Sequence, residues 1–502
     1  LLEKDDILTL PAQTGVPDKA MPKLLFVLLA VAITTQARGL TGPNILLLFS
    51  DDQRADAVGA YGNPYIRTPN IDQIAERGVR FSNAYCMGSH HGAVCAPSRA
   101  MLMSGRTLYH VYDRLEGVTT FPMLLRKAGY VTFGTGKWHN EKSAFKESFT
   151  RGKDVFFGGM SDHSHVPVQD LSPDGSYTEP KAKGFSSTIF ANAAIEFLNW
   201  YAEGPRGAPF LVYVSFTAPH DPRTPPEEYL KMYDGKGLPL PPDYMPLHPF
   251  HNGWMTGRDE QLAPWPRSPE VIRSQLAEYY GMISHMDREI GRILKCLRTN
   301  DLLENTLIVF ASDHGLSLGS HGLMGKQNLY EHSMKAPLVF AGPGIPGEGE
   351  RDALVYLFDI GPTILEIAGL DVPAEMEGRS LERVLSGEEG RVRTSLFTAY
   401  EEYQRAVRDE RWKLIRYPQL HYSQLFDLRH DPYELNNLAE DPGHRDKTEH
   451  MLNLLLKWQK EVGDVLPLSA TEKTPMEYDP STFSRTPDRH QPQSVVKKYF
   501  QQ

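Results

Sequence analysis

Short continuous apolar runs recur along this chain and end in polar residues able to carry chemistry. The first, Asn44 to Ser50, reads Asn-Ile-Leu-Leu-Leu-Phe-Ser and stops at Asp51-Asp52. A run of that length without alternation suits a strand buried on both faces of a parallel sheet, with two carboxylates delivered at its carboxyl end. Similar runs follow at Phe210 to Phe216, Thr306 to Ala311 and Pro337 to Phe340. Between them the pattern takes the helical period. Ile71 to Arg77 closes at Gly78, and Phe121 to Lys127 precedes Gly129, glycine being a common helix stop. The longest helix is predicted over Val271 to Arg298, where Leu276, Tyr280, Ile283, Ile290, Ile293 and Leu297 recur every few residues. Strands alternating with such helices predict an α/β fold, a large sheet with helices on both faces.

Two stretches break the alternation. Glu141 to Gly184 and Asp221 to Pro269 read as long loops, and the second is proline-rich and carries Tyr229, Tyr233, Tyr244, Phe250, Trp254 and Trp265. Loops of that length in a compact enzyme are usually functional; these aromatic faces would either stack on a sugar ring or pack the loop itself. The main domain is placed at residues 40–390. Beyond Arg391 the texture changes to short runs, Ser395 to Tyr400 and Trp412 to Arg416, which predict a smaller antiparallel sheet in a carboxy-terminal subdomain over residues 391–468. The polar, proline-punctuated segment 469–502 reads as a wrapping or disordered tail.

The 502 residues suffice for a large core, and the net charge of -10 argues against nucleic-acid binding, which calls for a concentrated basic surface. An anionic substrate therefore needs a local cationic pocket. Met21, Lys23, the apolar run Leu24 to Ile33 and Thr35-Gln36-Ala37 have the layout of a secretory signal peptide, placed at residues 21–37. Residues 1–20 then read as a non-native upstream segment, and the protein as exported, periplasmic or secreted. That apolar run is too short to span a bilayer, so no membrane span is expected. Three cysteines occur, Cys86, Cys95 and Cys296. Their odd number leaves at least one thiol without an internal partner, with Cys86 and Cys296 either paired or free if Cys95 is modified.

The candidate chemistry sits at the strand ends. Asp51-Asp52 and Asp313-His314-Gly315 each follow an apolar strand and place carboxylates where open α/β sheets gather ligands. Residues 95–99 read Cys-Ala-Pro-Ser-Arg, followed by Met-Leu-Met-Ser-Gly-Arg over residues 101–106. This fits the Cys-x-Pro-x-Arg signal at which type I sulfatases have a cysteine oxidised to formylglycine. Further matches in the same order are Gly136-Lys137-Trp138-His139, Ala218-Pro219-His220 and Gly322-Leu323-Met324-Gly325-Lys326, with the late Leu425-Phe426-Asp427-Leu428, Asp431-Pro432 and Asn437-Leu438-Ala439. Together they cover most of the chain beyond the signal segment, which resembles a formylglycine-dependent sulfatase of the alkaline phosphatase-like fold.

The resemblance implies one metal ion, calcium by family expectation, held by Asp51, Asp52, Asp313 and His314 with the modified Cys95 completing the site. Oxygen ligands suit calcium. His314, where many relatives carry Asn, would also suit manganese or zinc. It further implies that formylglycine hydrates to a diol, one hydroxyl of which attacks sulfur beside the cation and Arg99, while the second later expels sulfate and restores the aldehyde, a covalent route in two steps. Lys137 and Lys326 would contact sulfate oxygens, His220 would protonate the leaving alcohol, and His139 would take the proton in the elimination. The implied partners are a sulfated carbohydrate or small sulfate ester and, during maturation, the formylglycine-generating enzyme. His321 and the His163/His165 pair are further candidates for substrate contact, and Arg106 for securing the loop after Cys95. Two other readings compete: a phosphonate or phosphodiester hydrolase on the same fold, and a non-catalytic glycan-binding or structural protein.

Overall fold

Nine strands build the central sheet of the computed structural model, which describes residues 42–204, 206–233 and 237–501. The expected segments 1–20 and 21–37 lie outside the described residues. The strands are β1 (Asn44–Ser50), β2 (Gly78–Phe81), β3 (Val131–Lys137), β4 (Arg151–Phe156), β5 (Gln169–Leu171), β6 (Phe210–Ser215), β7 (Thr306–Ser312), β8 (Leu338–Ala341) and β9 (Gly349–Arg351). They lie in the order β9-β2-β8-β7-β1-β6-β3-β4-β5. The centre, β7-β1-β6-β3, is parallel throughout.

Continuous apolar runs fit this centre because both faces of the sheet are covered. In β1 the side chains of Ile45, Leu47 and Phe49 enter one core, and those of Leu46 and Leu48 enter the other. Helices α1 (Pro69–Glu76), α2 (Cys95–Ser104), α3 (Phe121–Ala128), α4 (Ser186–Glu203) and α5 (Pro269–Thr299) supply much of the cover. Phe121 and Leu125 of α3 and Leu102 of α2 pack on the first face, whereas Ile74 of α1, Phe190 of α4 and Met286 and Ile290 of α5 pack on the second. Helix α5 starts two residues before its predicted first residue: Ser268 caps it by accepting from the Val271 backbone N–H, and Pro269 takes the first turn, where no donor is needed.

Two expectations need correction, and one open alternative is decided. The strand predicted at Pro337 to Phe340 is antiparallel to both neighbours, β7 and β2, so the sheet is mixed. Glu141 to Gly184 is no single loop; it contains a helix at Lys142–Ser148 and the strands β4 and β5. The register of β4 shifts against both neighbours, and Asp154 within it takes the left-handed backbone at φ 52°, which breaks the alternation that would reveal a strand. In the second long stretch, Tyr229, Tyr233 and Phe250 are buried and Trp265 packs on Phe483, so these rings pack the loop instead of offering faces to a ligand.

The smaller sheet is antiparallel over β10 (Leu396–Tyr400), β11 (Gln404–Arg408), β12 (Trp412–Tyr417) and β13 (Tyr422–Asp427), and its outer strand β10 pairs with the short strand Gly88–Ser89. Helix α6 (Arg445–Val462) packs on β11 and β12. The tail wraps back over the main body: His251 donates its backbone N–H to the Met476 carbonyl, and Tyr499 on α7 (Gln493–Tyr499) donates to Glu278 on α5. Cys86, Cys95 and Cys296 are all free. Among the described residues no helix is long and apolar enough to cross a membrane.

Candidate active site

Parallel register assembles the site. Ser50 pairs with Ser312 and Phe49 with Ser215, so the residues that follow β1, β7 and β6 leave the sheet side by side. Asp51 and Asp52 continue β1, Asp313 and His314 continue β7, and Lys137 ends β3. Gly136 before that lysine has φ 87°, and a Cβ there would lie 1.9 Å from the Ser215 carbonyl oxygen, so only glycine lets β3 approach β6 this closely. Cys95 and Arg99 share the buried first turns of α2. The positive end of that helix's dipole lies at Cys95 and favours an anion there.

Opposite charges interlock at the centre. Lys137 Nζ lies 2.6 Å from Asp51 Oδ2, and Lys326 Nζ lies 2.8 and 2.9 Å from the two oxygens of Asp52. Arg99 donates to Asp313 Oδ2 at 3.1 Å and approaches Asp51 Oδ1 at 3.3 Å. Cys95 Sγ stands 3.5 Å from Asp52 Oδ1 and 3.4 Å from Lys326 Nζ. Burial pushes the Asp52 carboxyl up, but His220, Lys326 and His314 outweigh it and hold it below the usual carboxylate range; Asp313 is held low against burial by His314 and Arg99. Lys326 is raised well above its ordinary value because Asp52 outweighs its burial. The Cys95 thiol is raised well above its own by burial and by Asp51, so as a plain cysteine it stays protonated and is a poor nucleophile.

The donors also fit a divalent cation. Asp51, Asp52 and Asp313 each bring a carboxylate oxygen within 4.8 Å of the others, and the ligand atoms of Asp52, Cys95 and His314 converge equally closely. His314 donates from Nδ1 to the Gly315 carbonyl at 2.9 Å, which leaves the lone pair on Nε2. That nitrogen is buried without a hydrogen-bond partner, 3.5 Å from Asp52 Oδ1. A carbonyl-oriented imidazole among three carboxylates is a usual arrangement for a metal ligand.

His220 enters from the loop after β6. Its Nδ1 donates to the Asp221 carbonyl at 2.7 Å, and its Nε2 lies 3.1 Å from Lys326 Nζ and 3.7 Å from Asp52 Oδ2. His139 is half-buried with a left-handed backbone, φ 63°, and its buried Nδ1 has no partner among the described residues. Burial, reinforced by Lys137 and Arg99, holds its imidazole well below the ordinary value, which keeps it neutral and able to accept a proton. His163 stands behind His220, with Nε2 2.9 Å from the His220 carbonyl, while exposed His165 pairs with Asp162. His321 belongs to a different group, with Asp243 and His332.

Several residues around the site were not singled out from the sequence. Asp221 backs His220 and is clasped by Arg258, whose NH1 donates to Asp221 Oδ1 at 2.6 Å. Arg258 also reaches Asp488 in the tail, and Gln491 donates to Asp221 Oδ2 at 2.8 Å. Asp259 lies 3.8 Å from Lys326 Nζ and accepts from Gln327. Ser98, inside the cysteine motif, donates to the Asp313 carbonyl at 2.7 Å and ties α2 to the end of β7. A search for carboxylates beside the motif histidines would have found Asp221, but Arg258 and Asp488 sit in loop and tail without periodicity.

Comparison with known proteins agrees with this geometry. The Sulfatase family model matches residues 43–370, and a model described as N-sulphoglucosamine sulphohydrolase, C-terminal, matches residues 319–461. An N-acetylglucosamine-6-O-sulfatase of Bacteroides thetaiotaomicron is 26% identical over 89% of this chain and 92% of its own. A solved structure in complex with its substrate D-glucosamine-2-N,6-O-disulfate aligns with TM-score 0.70 at 25% identity, covering 85% of this chain and 99% of the other. The phosphonate monoester hydrolase of Agrobacterium radiobacter shares the fold, with TM-score 0.69 at 23% identity over 84% of this chain and 96% of its own.

Proposed function

The chain belongs to the sulfatase family and hydrolyses sulfate esters, and from that premise we propose that it desulfates a sulfated carbohydrate, using a formylglycine formed at Cys95 and one divalent cation, calcium by preference. The observation that carries this reading is the cluster itself: three carboxylates, a lone-pair nitrogen of His314 and the Cys95 position converge beside three cationic side chains at the carboxyl ends of adjacent parallel strands. The carbohydrate is favoured by the relative named for N-acetylglucosamine 6-sulfate and by the neighbour that holds a disulfated glucosamine.

Asp51, Asp52, Asp313 and His314 would hold the cation, which would supply charge neutralisation at the sulfate oxygens and lower the pKa of an adjacent hydroxyl, and the modified Cys95 would supply that hydroxyl as the nucleophile toward sulfur. The chain's own groups do the rest. Lys137, Lys326 and Arg99 hold the charge that grows on the sulfate oxygens. His220, its Nδ1 fixed on the Asp221 carbonyl, delivers a proton from Nε2 to the leaving alcohol oxygen. His139, kept neutral, takes up the proton released when sulfate departs. Three carboxylates and His314, with its mixed N and O character, also accommodate manganese. Export is proposed from the signal-like segment 21–37.

Peptide mass spectrometry over residues 95–99, on protein made with a formylglycine-generating enzyme, tests the modification. Desulfation of sulfated glucosamines, glycosaminoglycan fragments, algal oligosaccharides, choline sulfate and nitrophenyl sulfate tests the substrate class. Fully active protein carrying an intact Cys95 thiol would end the formylglycine reading. Turnover confined to choline or aryl sulfates would end the carbohydrate one.

A further inference from the structure

A second convergence of ligating side chains lies outside the carboxylate cluster. Asp243 comes from the long loop 221–269, His321 from the turn that leads to Lys326, and His332 from the short helix Glu331–Met334. His321 Nδ1 stands 3.2 Å from His332 Nε2 and 3.4 Å from Asp243 Oδ2. Four ligands at roughly 2.0–2.1 Å from a tetrahedral ion are about 3.3 Å apart along each edge, so His321 Nδ1 already stands at ligand spacing from both partners, and all three atoms lie within 4.8 Å of one another.

Neighbouring groups turn the ligating atoms inward. His321 Nε2 lies 3.1 Å from the Glu434 carbonyl oxygen, which can only accept, so that nitrogen carries the proton and Nδ1 faces its partners bare. His332 Nδ1 lies 2.9 Å from Ser333 Oγ, which leaves Nε2 turned toward His321. Asp243 Oδ1 is taken by Ser320 Oγ at 2.7 Å, and Oδ2 is left for the group. The His321 ring is stacked on Tyr330, centroid to centroid 3.9 Å, and its backbone N–H donates to the Asp243 carbonyl at 2.7 Å. Arg54 donates to Ser320 Oγ at 3.0 Å and pairs through two contacts with Asp56, and its charge also acts on Asp243 and His332. A cavity of about 480 Å³ opens on Asp243 and His332 and gives a fourth position access to solvent.

We propose that Asp243, His321 and His332 bind one divalent transition-metal ion of the zinc class, with its fourth position open to this cavity. Two imidazoles and one carboxylate favour zinc over calcium, which prefers six to eight oxygens. The ion ties three segments together: the long loop, the turn carrying His321 five residues before Lys326, and the helix bearing His332. The Glu434 carbonyl anchors that group to the smaller sheet's side of the molecule. The role is structural, a clip on the Lys326 loop, and does not depend on which ester is cleaved.

The test is zinc titration of the full chain, already saturated with calcium, followed by calorimetry and by the visible spectrum of a cobalt-substituted sample. One additional ion per chain is expected, with the intense bands of four-coordinate cobalt. His332→Ala and Asp243→Asn should lose that ion and the zinc-dependent rise in melting temperature while keeping their circular dichroism. Zinc uptake that is absent, or that persists unchanged in both variants, overturns the site. If His332→Ala does not fold, anomalous scattering at the zinc edge from zinc-soaked wild-type crystals decides: a peak between the three side chains supports the clip, and no peak there refutes it. Desulfation activity does not enter this readout, so its outcome stands apart from the sulfatase reading.

Discussion

Arg258 Nε lies 2.9 Å from Asp488 Oδ2, a contact that joins the long loop beside the active site to the carboxy-terminal tail across 230 positions of sequence. The same guanidinium clasps Asp221, whose carbonyl orients His220. Burial pushes the Asp221 carboxyl up, but Arg258 and His220 outweigh it and hold it well below the usual range. Arg258→Ala therefore strips a buried, ionised Asp221 of its two-contact cation and leaves it the Gln491 amide, at a cost of about 3 kcal/mol in stability. It should also lower kcat while leaving KM close to the parent value. Removal of residues 484–502 should lower kcat in the same direction and less steeply. Equal kcat in all three proteins, by steady-state kinetics, would detach the tail from His220.

Lys137 and Lys326 are each fully buried against one carboxylate of the Asp51-Asp52 pair. Loss of one preorganised contact to developing charge costs about 3–4 kcal/mol, or two to three powers of ten in rate. Lys137→Ala and Lys326→Ala should each fall by that much in kcat/KM. Activity within about threefold of the parent would exclude the residue concerned from charge stabilisation.

Cys95→Ser separates attack on sulfur from release of sulfate. A serine hydroxyl can take the sulfuryl group but lacks a second hydroxyl to expel it. The variant should liberate a single equivalent of alcohol per chain and then stop, and mass spectrometry should find a sulfate ester on the serine introduced at that position. Sustained turnover by this variant would contradict the need for a second oxygen at position 95.

Asp464 holds the end of α6 to β11 through Arg405 Nε at 2.7 Å and Gln459 Nε2 at 2.7 Å. Burial pushes its carboxyl up, and the Arg405 contact outweighs this and holds it below the ordinary value. A carboxyl with a lowered folded-state pKa contributes stability above its unfolded pKa of about 3.9, and loses that contribution as pH falls through the folded value. Asp464→Asn should be less stable than the parent at pH 7 by about 3 kcal/mol. Urea melts should show the gap closing as pH drops below about 4. A gap that is constant with pH would mean that the carboxylate charge contributes nothing.

The groups at strand ends are legible in the sequence alone. Asn44 to Ser50 and Thr306 to Ala311 are apolar at every inner position because both faces of the sheet are covered, and the residues after them must leave at its carboxyl edge. Cys95 to Arg99, Gly136 to His139 and Gly322 to Lys326 are local strings whose chemistry survives any error in the fold around them. What tertiary structure alone decided are the pairings between distant segments. The antiparallel seating of β8, the strand hidden by the Asp154 bulge, the Arg258 bridge from Asp221 to Asp488 and the meeting of His321 with Asp243 and His332 leave no mark on local periodicity. Periodicity records which face of an element is buried, whereas these relationships depend on which other element lies against it.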